Sequence, residues 1–169
     1  MSNERAKILI VDDDAMNRVV LSDLLSDEYD IIEAKDGDEA LEILEKQAKE
    51  ITLVLLDMVM PGRDGLEVLK IMNEKDWIKG TPVVMISAET STPQVEKAFS
   101  LGVTDFIYRP FDQMVVQTRV RNTINLYVKQ MQLSELVTDK IYERTRNSDM
   151  LISILSHIVE FRNGESGQH

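Results

Sequence analysis

The sequence predicts an α/β domain built on a parallel sheet, followed by a long helical extension. Three observations predict it. Five short apolar runs recur at 7–11, 29–34, 52–56, 82–86 and 104–108, and several are apolar at consecutive positions. That pattern suits strands covered on both faces. Segments with helical spacing separate the runs, and a strand–helix alternation repeated five times implies right-handed crossovers. Third, no Pro or Gly occurs from Phe111 until Gly164, so nothing punctuates a helix there.

The elements follow in order. Ile8-Leu9-Ile10-Val11 forms the first run, and Val19, Val20, Leu24 and Leu25 mark the helix after it. An Asp36-Gly37-Asp38 turn leads from the second run into Ala40, Leu41, Ile43 and Leu44. Leu53-Val54-Leu55-Leu56 is the third run, followed by Leu66, Leu69, Ile71 and Met72. After the fourth run come Val95, Ala98, Phe99 and Leu101, closed by Gly102. The domain should end near residue 125.

Val116, Val120, Ile124, Tyr127 and Met131 then form a helical stripe. The stripe becomes irregular from Leu133, nearly vanishes between Tyr142 and Asp149, and returns from Met150 to Val159. One long helix fits, as do two with a break near 144–148; the thin stripe there favours a break or register change. A loop is expected where glycine returns, at Gly164 and Gly167. Fifty helical residues would extend roughly 75 Å, and a helix that long needs a partner surface.

Composition narrows the class. The chain has 169 residues, no cysteine and a formal charge of −11. No disulfide or Cys-ligated metal site can form. No apolar run is long enough to span a membrane, and the polar N-terminus lacks a secretory signal's apolar core. A cytoplasmic protein is expected. Residues 1–111 hold 12 Lys/Arg against 23 Asp/Glu, whereas residues 112–169 hold 7 of each. An acidic chain without a basic patch repels phosphate backbones, which argues against direct nucleic-acid binding.

In open α/β sheets, ligands sit beyond the carboxyl ends of the strands. Asp12, Asp13 and Asp14 follow the first strand, Asp57 follows the third, Ser87 ends the fourth, and Arg109 follows the fifth. Asp14 reads as a helix N-cap. The other carboxylates, brought together, must be protonated or bind a cation. Oxygen ligands with no Cys or His nearby favour Mg²⁺. Carboxylates, a hard metal, a hydroxyl and a cation together suit phosphoryl chemistry.

Residues 5–125 resemble the receiver domain of two-component response regulators. The resemblance rests on Ile8-Leu9-Ile10-Val11-Asp12-Asp13-Asp14, Leu55-Leu56-Asp57-Met58-Val59-Met60-Pro61-Gly62, Asp64-Gly65, Met85-Ile86-Ser87-Ala88, Gly102-Val103-Thr104-Asp105-Phe106 and Arg109-Pro110-Phe111, in that order and spacing. It implies a flavodoxin-like, doubly wound five-stranded parallel sheet of order 2-1-3-4-5. It further implies that Asp57 accepts a phosphoryl group from a histidine kinase. Asp12, Asp13, Asp57 and the backbone carbonyl of Val59 would hold Mg²⁺. Ser87 would hydrogen-bond the phosphoryl oxygen, and Phe106 would repack as Ser87 moves. The chain departs from the family at Arg109, where a lysine is usual. Arginine keeps the charge but presents a planar fork.

The segment 154–169 is similar to the opening of the HD-GYP phosphodiesterases of cyclic di-GMP, through Glu160, Phe161, Arg162 and Glu165-Ser166-Gly167-Gln168-His169. In that family Glu165 and His169 would be metal ligands. One Glu and one His cannot complete a metal site. His157, on an apolar helix, reads as a packed or solvent-edge side chain. The expected organisation is therefore a receiver at 1–125, a helical linker at 126–149 and the start of an output domain at 150–169. Three function classes follow: a phosphorylation-controlled switch, a phosphodiesterase fragment, and an interaction module that no longer takes phosphate. Intact Asp12, Asp13, Asp57 and Ser87 favour the first. A homodimer through residues 113–161 is expected, since pairing would cover the second apolar stripe.

Overall fold

The structure is a computed structural model and describes residues 4–88 and 92–165. Five strands, β1 (Lys7–Val11), β2 (Asp30–Ala34), β3 (Ile51–Asp57), β4 (Val83–Ser87) and β5 (Asp105–Tyr108), alternate with five helices. The helices are α1 (Ala15–Leu25), α2 (Gly37–Gln47), α3 (Gly65–Glu74), α4 (Thr92–Ser100) and α5 (Gln113–Glu165). All strand pairs are parallel and the sheet order is 2-1-3-4-5, the flavodoxin-like arrangement expected.

Alternate residues of each central strand point to opposite faces of the sheet. Leu9 and Val11 of β1 join Val54, Leu56 and Met85 in one apolar cluster, closed by Leu44 of α2, Leu69 of α3 and Ala98 of α4. Ile8 and Ile10 join Leu53, Leu55, Val84 and Ile86 in a second, closed by Leu21 of α1 and Val116 and Val120 of α5. Consecutive apolar residues in the sequence thus report two cores, one on each face.

Local chemistry fixes where the helices start. Asp14, Asp36 and Asp64 each accept a hydrogen bond from a first-turn amide of α1, α2 and α3. Asp14 is the N-cap the sequence indicated. Gly65 opens α3 hard against β3: a Cβ there would collide with the Asp57 carbonyl oxygen and the Met58 Cα.

The chain divides into two compact units, Met1–Tyr127 and Val128–His169. The first holds both cores. In the second, every side chain from 128 to 160 is exposed, His157 included. The expected break near 144–148 is absent, and α5 runs through it. Loss of an apolar stripe removes a packing face, but residues such as Glu143, Arg144 and Arg146 still support helical backbone. Gly164 likewise lies inside α5 rather than opening a loop. Ser166 to His169 lie outside the described residues. No helix among the described residues is long and apolar enough to cross a membrane.

Candidate functional site

The carboxyl ends of β1 and β3 are neighbours in the sheet, with Val11 beside Leu56. That adjacency brings Asp12 and Asp57 together. Both are buried, while Asp13 is exposed, and one carboxylate oxygen from each of the three lies within 4.8 Å of the others. Asp57 is the last residue of β3 rather than the first beyond it.

Each buried carboxylate is held by one oxygen. Asp12 Oδ1 accepts from the Asp14 amide at 2.9 Å and from Asn17 Nδ2 at 3.5 Å. Asp57 Oδ1 accepts from the Val59 amide at 3.3 Å and from Arg109 Nη2 at 3.3 Å. The second oxygens, Asp12 Oδ2 and Asp57 Oδ2, are buried with no hydrogen-bond partner, as is Arg109 Nε. Burying charged oxygen without a partner is costly. Burial, reinforced by the Asp12 charge, pushes the Asp57 carboxyl up to about 7, although Arg109 pulls the other way. Burial also raises Asp12, against hydrogen bonding from Asp14 and the charge of Arg109.

A divalent cation fits this donor set. It would give both orphaned oxygens a partner and relieve the mutual repulsion. The donors are all oxygen, which suits Mg²⁺. Val59 contributes its amide to Asp57, and its side chain is exposed.

The remaining residues singled out in the sequence gather at the same edge. Ser87 is buried at the end of β4, and its carbonyl accepts the Arg109 amide at 3.0 Å. Arg109 therefore leaves β5 pinned beside β4, with its guanidinium turned to Asp57. Phe106 is buried between Phe99 and Tyr108, with ring centroids 5.3 and 6.1 Å away. It touches the aromatic face rather than the carboxylates, and its carbonyl accepts from Arg119 Nη1. Two residues at the site escaped the sequence: Asn17, on Asp12 Oδ1, and Arg18, whose Nη1 donates to the Asp12 carbonyl at 2.7 Å. Neither residue type at that spacing carries a signal of its own.

Comparison with known proteins agrees with this geometry. The family model described as the response regulator receiver domain matches residues 8–121. The transcriptional regulatory protein ResD of Bacillus subtilis is 40% identical over 116 residues, covering 68% of this chain and 46% of ResD. A probable cyclic di-GMP phosphodiesterase of Vibrio cholerae is 31% identical over 169 residues, covering 96% of this chain and 38% of that protein. The DNA-binding response regulator MtrA of Mycobacterium tuberculosis is 31% identical over 166 residues, covering 98% of this chain and 66% of MtrA. The chain thus spans between 38% and 66% of the length of these relatives. The solved structure of the Vibrio cholerae chemotaxis protein CheY4 superposes with a TM-score of 0.65 at 29% identity, over 70% of this chain and 98% of that one. With strand order, acidic edge and sequence in agreement, the chain belongs to the response regulator receiver domain family.

Proposed function

We propose that this chain is a phosphorylation-controlled switch in which Asp57 accepts a phosphoryl group from a sensor histidine kinase. The observation that carries the proposal is the pair of orphaned oxygens, Asp12 Oδ2 and Asp57 Oδ2, buried beside Arg109. In the reaction, an Asp57 carboxylate oxygen attacks the phosphorus of a phosphohistidine. An O–P bond forms, the N–P bond breaks, and the imidazole leaves with the bonding pair and takes a proton. Asp12, Asp13, Asp57 and the carbonyl of Val59 would hold Mg²⁺, which would neutralise charge on the carboxylates and phosphoryl oxygens. Arg109 offers Nη2 and the unspent Nε to the arriving anion. Ser87, at the adjoining strand end, would donate its hydroxyl to a phosphoryl oxygen, and Phe106 would repack behind it. The chain acts here as acceptor and relay, not as a turnover enzyme, and a cytoplasmic location suits a kinase partner.

The test is intact-mass analysis after incubation with acetyl phosphate and Mg²⁺. Wild type should gain one phosphoryl group and Asp57→Ala none; equal uptake would remove Asp57 from the role. Arg109→Lys should keep a response to beryllofluoride that Arg109→Ala loses.

The relay runs through α5. Large apolar side chains from Met150 to Val159 are each more than half exposed. Every seventh residue from Asn125 is polar: Gln132, Asp139, Arg146, Ser153 and Glu160. A seven-residue polar repeat, with the apolar stripe thin between Tyr142 and Asp149 and continuous from Met150 to Val159, suits a helix paired in a left-handed supercoil over that last stretch. Residues 128–160 carry 4 Lys/Arg and 5 Asp/Glu, so two copies repel little there. A second copy of the chain is the proposed partner, with pairing between protomers the element that phosphorylation shifts.

The output proposed beyond the helix is a cyclic di-GMP phosphodiesterase of the HD-GYP type. Similarity of 154–169 to its opening supports this, as does the Vibrio cholerae relative named a probable cyclic di-GMP phosphodiesterase, which matches 96% of this chain. A DNA-binding output, as MtrA's name describes, is the competitor; the charge of −11 disfavours nucleic-acid contact by this chain itself. The coding sequence following His169 separates the two: further metal ligands support the phosphodiesterase, and a helix-turn-helix overturns it.

A further inference from the structure

We infer that Arg18 is a positioning residue for the cation site, holding the Asp12–Asp13 peptide in the orientation that lets both carboxylates face Asp57. The inference rests on the reading of Asp12, Asp13 and Asp57 as a cation and phosphoryl site.

Asp12 is restrained on every side but one. Its amide donates to the Ala34 carbonyl of β2 at 3.2 Å. Its Oδ1 accepts from Asp14 and Asn17. Its carbonyl accepts from Arg18 Nη1 at 2.7 Å, a charge-assisted bond. Only Oδ2 is left buried without a hydrogen-bond partner, and one Asp12 carboxylate oxygen lies within 4.8 Å of oxygens of Asp13 and Asp57.

Arg18 is itself held. Its Nε pairs with Glu33 of β2 at 3.3 Å, and its side chain is 17% exposed. The guanidinium therefore bridges the β1–α1 loop and the neighbouring strand. The carbonyl it grips belongs to the peptide joining Asp12 to Asp13. Freed from Arg18, that peptide could rotate, and the exposed Asp13 carboxylate would turn with it. Groups that orient metal ligands typically matter 10–100-fold in metal affinity. The bland alternative is a brace that stabilises the start of α1 and leaves the site alone.

The experiment compares the full chain with its Arg18→Met and Arg18→Lys variants. Arg18→Met keeps an apolar stem and removes the donors; Arg18→Lys restores one donor and the charge. Calorimetric titration with Mg²⁺ alone reads affinity, and melting in EDTA reads metal-free stability. Arg18→Met should weaken Mg²⁺ binding about tenfold, out of proportion to any change in metal-free melting, and Arg18→Lys should recover part of it. The Mg²⁺ concentration for half-maximal uptake from acetyl phosphate should rise in parallel, by more than the plateau rate falls. Unchanged Mg²⁺ affinity in Arg18→Met overturns the inference, and so does a loss that merely tracks melting temperature. If Arg18→Met fails to fold, Glu33→Gln, which loosens the guanidinium from its exposed side, must weaken Mg²⁺ binding; unchanged affinity there also overturns it. A wild-type chain that binds no Mg²⁺ would instead sink the underlying reading of the site.

Discussion

Val120 and Leu155 are apolar residues on the same helix, yet Val120 has no exposed surface and Leu155 keeps 60% of its own. Up to Tyr127, α5 closes one of the receiver's two cores; from Val128 onward every described side chain through 160 meets solvent. The backbone is helical in both stretches, so helix formation alone does not separate them. What separates them is who supplies the packing. In the first, the sheet does, and the helix is held by burial worth about 1.5–3 kcal/mol per large apolar side chain. In the second, local hydrogen bonds hold a helix whose apolar face awaits another surface, and most helical stability in proteins comes from such packing.

The bluntest way to break that contrast is to remove the second region. The full chain should sediment as a dimer at tens of micromolar, and a version ending at residue 127 as a monomer. A monomeric full chain would refute pairing through the helix. A dimeric short version would move the interface onto the receiver.

Next comes the same substitution in both regions. Leu55, fully buried in β3, should cost about 2–5 kcal/mol as Leu55→Ala. Leu155→Ala should change monomer stability by within about 0.5 kcal/mol, while weakening association. Urea unfolding at low protein concentration, paired with sedimentation, reads both effects. Similar costs in the monomer would mean that Leu155 is packed within its own chain.

A smaller effect separates the acidic edge from the rest of the receiver. Mg²⁺ at about 100 times its dissociation constant should stabilise the fold by roughly 2.7 kcal/mol. The rise in melting temperature should largely disappear in Asp13→Ala, whose exposed side chain contributes little to the core. An equal rise in wild type and variant would place the cation elsewhere.

Legibility in the sequence follows the same divide. The strands were readable because both faces are apolar, and β1 coincides with its expected span. The ends were less so: β3 runs one residue further, into Asp57, because a strand can continue into a polar residue that a hydrophobic pattern excludes, whereas β4 ends at Ser87 as expected. The expected break at 144–148 failed for a related reason. Apolar spacing reports which surface is covered, not whether the backbone stays helical, and Glu143 to Arg146 remain helical while exposed. At the site, Asp12, Asp57 and Arg109 were legible because strand ends converge in this topology. Arg18 and Asn17 were not, since a side chain that grips a backbone carbonyl or a neighbouring carboxylate leaves no recurring pattern of residue types.

The smallest expected effect tests the electrostatics of the edge in the metal-free protein. Burial and the neighbouring Asp12 raise Asp57 to about 7, from an ordinary value of 3.8. Between those two values the folded chain retains a proton that the unfolded chain has released. By linkage, stability falls as pH rises through that window and levels off above about 7, once the folded carboxyl has also ionised. In EDTA, then, wild type should melt on the order of 2–4 °C lower at pH 8 than at pH 6 from this group alone. Asp57→Asn cannot ionise and should lose that component while keeping the slope contributed by every other group. Adding Mg²⁺ should oppose the trend, because the cation binds the ionised carboxylates and competes with the proton, so its stabilisation should be greater at pH 8 than at pH 6. Parallel pH profiles for wild type and Asp57→Asn in EDTA would show that Asp57 ionises normally, and that the edge carries no stored repulsion for a cation to relieve.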